Sequence, residues 1–181
     1  MKVLLKQPGT RTLILITGAA LIATPLIWFG FAGPEQIMQS RGHGIVAYEL
    51  AFSATQAEAI LAAWGVEGQS AARASLLMDF AFMPSYALLF AGITLLIARG
   101  LQGTVGRIGS WLACGSIAAA LFDALENVML LSILNSANPV PALQPFAAGV
   151  SASIKFFLLS LAVIYWLVGG LTLLARAIVK R

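Results

Sequence analysis

Apolar residues along this chain collect into four long runs. The first covers residues 13–31, 19 positions without a charge. The second covers 75–98 and contains only Asp79 among its 24 positions. The third covers 108–134, with Asp123 and Glu126 in its second half. The fourth covers about 150–175 and contains only Lys155. Each run meets the requirement of about 20 residues for a helix crossing roughly 30 Å of hydrocarbon. Backbone groups in lipid need internal partners, so the pattern predicts four membrane-spanning helices. The first run follows Lys2, Lys6 and Arg11 as a secretory signal does, but it exceeds the usual apolar core of such a signal and reads as a retained span.

Between the first two runs lies a segment, about 32–74, too long for a plain loop. Ile45, Tyr48, Glu49 and Phe52 recur at helical spacing. Thr55 and Glu58 have capping-box spacing, with Thr55 as the expected N-cap. Ile60, Leu61 and Trp64 then mark an apolar face, and Gly65 reads as a C-terminal stop. Two short helices over the outer mouth of the bundle are expected. The link 99–107 is short and glycine-rich, which makes the second and third spans antiparallel neighbours. The whole chain, 1–181, reads as a single all-α domain: a four-helix transmembrane bundle with short extracytoplasmic capping helices.

Composition agrees. Sixty per cent of the residues are hydrophobic and only 10% are charged, too few to solvate a soluble domain of this size. The net charge of +4 comes from basic residues that flank apolar runs, which speaks for membrane topology and against nucleic acid. With the N-terminus in the cytoplasm, eight Lys and Arg (Lys2, Lys6, Arg11, Arg99, Arg107, Arg176, Lys180 and Arg181) lie inside. Arg41 and Arg73 lie outside. That bias predicts cytoplasmic N- and C-termini. Trp28, Trp64 and Trp111 read as an interfacial aromatic belt, Trp166 as deeper packing and the single Cys114 as a small buried residue.

Charges inside a membrane are costly and usually face the bundle interior. Asp79, Asp123, Glu126 and Lys155 all fall, at 1.5 Å per residue, in the outer half of the bilayer. Asp123, Glu126 and Asn127 share a helix face, as do Asp79 and Tyr86. Pro84 and Pro25 free the carbonyls of Phe80 and Leu21 at this level, and kinks are expected there. Asp79, Tyr86, Asp123, Glu126, Asn127 and Lys155 are therefore the candidate ligand-binding residues of a polar layer. The same residues suit a buried ion-pair network that sets helix register. Lys155 is expected to reach at least one of the three acids, and the remaining acids then need protons, a cation or a polar ligand.

No cofactor is identifiable. Asp79, Asp123 and Glu126, with Asn127, are weak candidates for a hard cation such as Ca²⁺. His43 lies between two glycines and reads as a turn residue; no span holds a histidine for a buried haem. No hydrolase elbow, phosphate loop or dinucleotide fingerprint occurs, so the reading leans away from an enzyme.

At D-F-A-F-M-P-S-Y (79–86), D-A-L-E-N (123–127), I-K-F (154–156) and A-E-A-I-L-A-A-W-G (57–65) the chain resembles uncharacterised bacterial four-span integral membrane proteins. The resemblance implies a bacterial cytoplasmic (inner) membrane. In its long first loop and the acid-aromatic-Pro-Tyr stretch from Asp79 to Tyr86 it is also similar in layout to EXPERA-type sterol-binding proteins. The membrane histidine of the isomerases in that group has no counterpart here. The function expected is a binding or accessory module for a membrane lipid or small apolar molecule, with a homo-oligomer or membrane-protein partner possible. The alternatives are a proton- or cation-coupled transporter subunit and a lipid-modifying enzyme.

Overall fold

The computed structural model describes residues 3–101, 103–136 and 139–179. Lys2, Lys180 and Arg181, which enter the charge count above, lie outside the described residues. The elements are α1 (Thr10–Gly30), α2 (Ala32–Ser40), α3 (Ile45–Glu49), α4 (Ala54–Leu101), α5 (Gly103–Asn135) and α6 (Leu143–Val179). The chain is an all-α four-helix bundle, with no strand among the described residues. Thr10–Ser40, α4, α5 and α6 are each long and apolar enough to cross a membrane. This is a multi-pass membrane protein.

The segment between the first two spans holds more helix than the periodicity predicts. Short α2 precedes α3, and Glu35 of α2 ties the two together. Its Oε2 accepts from the Ile45 amide at 3.1 Å, and its Oε1 accepts from Gln39 Nε2 at 2.7 Å. The next helix starts two residues before the expected capping box. Ser53, not Thr55, caps it, with Oγ accepting from the Gln56 amide at 3.2 Å. Glu58 does not complete a box either: its Oε1 accepts from the Val140 amide at 2.8 Å. A cap competes with every other donor in reach, and here a long-range donor wins.

Gly65 is a bend rather than a stop. Its φ of 59° and ψ of −164° break the helix, which then resumes and runs on as the second span. That conformation is open to glycine and strained for residues with a Cβ. The backbone of α4 stays helical through Pro84, so its break falls at Gly65.

The chain divides into two compact units, and the division falls within each long helix. Unit 1 contains residues 1–24, 85–120 and 156–181. Its helices pack closely where side chains are small: Thr17 of α1 lies where a Cβ on Gly92 of α4 would stand. Trp166 packs as expected, its Nε1 donating to Thr94 Oγ1 at 2.8 Å. Arg99 donates to the carbonyls of Leu4 and Pro8 at 3.2 and 2.7 Å, holding the N-terminal arm against α4. Cys114 is exposed, not buried. It lies on the outward side of α5 with Trp111, and an apolar thiol is stable there because lipid, not water, is the solvent for such a face.

Unit 2 contains residues 25–84 and 121–155. Its core joins Met38 of α2, Tyr48 of α3, Trp64, Leu76, Leu130 and Ile133. Trp64 therefore departs from the expected interfacial belt. It is fully buried, stacked edge-on to Tyr48 at 5.1 Å, and its Nε1 donates to the His43 carbonyl at 2.7 Å. The buried indole has its polar edge satisfied by the turn before α3, which makes burial favourable.

Replacing Ser53 by Ala should cost about 1 kcal/mol of local helix stability. Amide exchange at 54–57 should quicken, while Thr55→Ala should leave it unchanged. The reverse pattern would restore the Thr55 cap.

Candidate functional site

Unit 2 draws the charged groups of its polar layer from four elements. Asp123, Glu126 and Asn127 share one face of α5, since i, i+3 and i+4 positions are neighbours on a helix. Lys155 comes from α6, Asp79 from α4 and Glu49 from the end of α3. The Lys155 ammonium donates to Asp123 Oδ1 at 2.8 Å. It also lies 2.9 Å from Glu126 Oε2 and 3.5 Å from Glu49 Oε2. None of these four side chains is more than 10% exposed.

Asp79 is held by an amide. Asn127 Nδ2 donates to Asp79 Oδ2 at 2.8 Å and to the Leu76 carbonyl at 3.2 Å. Both donors of that amide face α4, which fixes its orientation. Asn127 is fully buried, and its Oδ1 has no hydrogen-bond donor among the described residues. Ser151 is also buried, one turn before Lys155. Tyr86 belongs to unit 1, where it is buried and its ring meets Phe90 edge-on at 6.3 Å.

Glu49 is the member that sequence reasoning left out of the polar layer. Its signal is visible in retrospect: an acid in register with Ile45, Tyr48 and Phe52 on an apolar face needs a buried partner. Tyr48 beside it donates from its hydroxyl to the Leu130 carbonyl at 3.1 Å. Burial pushes the Tyr48 phenol up, which keeps it a neutral donor. Burial likewise pushes the Glu49 carboxyl above its ordinary value; Lys155 pulls against that shift and Asp123 adds to it.

The chemistry of the cluster follows from its charge. Four carboxylates (Glu49, Asp79, Asp123 and Glu126) stand with one ammonium in a poorly solvated interior. Full ionisation would leave several uncompensated negative charges, which is prohibitive in such a medium. The group therefore has to hold protons or a further positive partner. Among the described residues no set of three His, Cys, Asp or Glu side chains is arranged to hold a metal ion. Lys155 stands at the point where Asp123 and Glu126 converge. His43 is exposed, with its carbonyl engaged by Trp64.

No family model, no curated protein and no solved structure matches the chain.

Proposed function

We propose that this membrane protein is a binding or accessory module whose acidic layer takes the polar head of a lipid or small amphiphile. Asn127 carries the reading. Its amide is pinned by two acceptors on α4, and its Oδ1 is a buried acceptor with no donor among the described residues. An unmet buried acceptor costs about 1–3 kcal/mol, so a ligand hydroxyl or ammonium that meets it gains that much. The carboxylates nearby favour a neutral or cationic head over an anionic one. The charge bias of the loops supports placing both termini in the cytoplasm, and the resemblance noted above supports a bacterial inner membrane.

The test is native mass spectrometry of the full chain released from gentle detergent. Wild type is expected to retain a lipid or amphiphile with a donor-bearing head. Asn127→Leu, which removes the open acceptor, is expected to lose it. A bare protein mass for wild type, or equal retention by Asn127→Leu, would sink the reading. A second reading, a proton- or cation-coupled transporter subunit, is favoured by the excess of carboxylates over ammonium. Proton uptake into vesicles carrying the reconstituted protein would favour it.

A further inference from the structure

Glu49 differs from the other acids of the polar layer in where it sits. Asp79, Asp123 and Glu126 belong to long helices, whereas Glu49 ends a helix of five residues. A negative charge at a helix C-terminus is disfavoured by the helix dipole. Lys155 offsets only part of that, because its ammonium is shared and lies closer to Asp123 and Glu126 than to Glu49. The Glu49 and Glu126 carboxyls converge on one ammonium, their Oε2 atoms lying 3.5 and 2.9 Å from Lys155 Nζ. Ionised carboxylates are acceptors only, so two of them cannot bond. Glu126 is fully buried, and its Oε1 has no donor among the described residues. A proton is the smallest donor that satisfies both groups. It removes one negative charge and converts a repulsion into a strong O–H···O⁻ bond.

We propose that Glu49 and Glu126 share one exchangeable proton beside Lys155, and that this proton latches α3 to α5. The remaining ties of α3 do not depend on it: the Ile45 amide bonds Glu35 of α2, and the Tyr48 hydroxyl bonds the Leu130 carbonyl. Losing the proton leaves two like charges facing each other across the α3–α5 contact, and α3 loosens. The upward push of burial on Glu49 sets the sign. A group whose value is raised in the folded state contributes stability below its ordinary value, and that contribution is lost as pH rises through the raised one. The latch therefore holds at low pH and opens as pH rises through the raised value. The charged and titratable groups around Glu49 are Tyr48 from α3, Asp79 from α4, Asp123 and Glu126 from α5, and Lys155 from α6. The proposal uses Glu49 and Glu126, not Asn127, and stands apart from the ligand reading.

Two measurements on the full chain in lipid nanodiscs test it. Infrared spectra at a pH where the latch holds should contain a protonated-carboxyl component that is lost in Glu49→Gln and also in Glu126→Gln. Amide-exchange protection at Leu50 and Ala51, corrected for intrinsic rates, should fall about tenfold per pH unit once the proton leaves, as one-proton linkage requires. Glu49→Gln keeps a neutral side chain that can donate, so it should still fold, keep α3 protected and flatten that slope. Glu35→Gln should leave the slope unchanged. A component lost in only one of the two variants, or in neither, overturns the shared proton. A slope that survives Glu49→Gln, or disappears in Glu35→Gln, overturns the latch.

Discussion

Lys155→Met is expected to destabilise the protein by about 3–5 kcal/mol, the usual cost of breaking a buried ion pair from one side. The substitution keeps most of the side-chain volume, so the loss is electrostatic. It strands Asp123 and Glu126, which lie 2.8 and 2.9 Å from the ammonium, in an interior where neither is more than 4% exposed. Thermal unfolding in a mild detergent reads the change. The double variant Lys155→Met with Asp123→Asn should recover part of the loss, since removing both partners leaves no new unpaired charge between them. Recovery should stop short of wild type because Glu126 still lacks its cation. If Lys155→Met unfolds with wild type, the ammonium does not compensate these acids. If the double variant is no better than the single, Asp123 is not its principal partner.

A loss of similar size, about 3–5 kcal/mol, is expected from Trp64→Ala. Trp64 is fully buried at the centre of unit 2, against Tyr48. Truncation removes a large apolar side chain and leaves a cavity that helices on every side can fill only in part. It also leaves the His43 carbonyl without the indole donor 2.7 Å away. Trp64→Phe separates the two effects: it keeps a ring and should cost much less than Ala, with about 1 kcal/mol coming from the missing hydrogen bond. An interfacial Trp64 would respond differently. Both variants would then unfold like wild type and change only the fluorescence of the protein at the membrane surface.

The two predictions rest on information of different origin. Lys155 and its acids were legible because charge is rare in this chain and expensive in lipid. Once the four apolar runs are placed, Asp79, Asp123, Glu126 and Lys155 fall at one depth, and helical spacing puts Asp123, Glu126 and Asn127 on one face. Trp64 was misread. At the end of a short amphipathic helix a tryptophan has the same local pattern whether it lies on a membrane surface or under a second helix. Only the folding back of α2 and α3 buries it. The Thr55 cap failed for a related reason, since Ser53 and Thr55 are both able to cap and the choice depends on whether Glu58 is free. Glu58 is engaged by the Val140 amide, 82 residues away.

What this sequence determines by itself is what the solvent enforces at each position. Uncharged runs of spanning length in lipid must be helices, because every backbone group has to be satisfied within the run. Polar groups in those runs must turn inward. The tertiary structure alone decides which polar groups meet. It brings Glu49 from α3 to within 3.5 Å of Lys155 and turns both Asn127 donors toward α4. It also makes Gly65 a bend within one long helix instead of an end. These are choices among partners far apart in the chain. Local propensity is the same for each alternative, and the difference lies in burial and long-range hydrogen bonds that exist only once the helices pack.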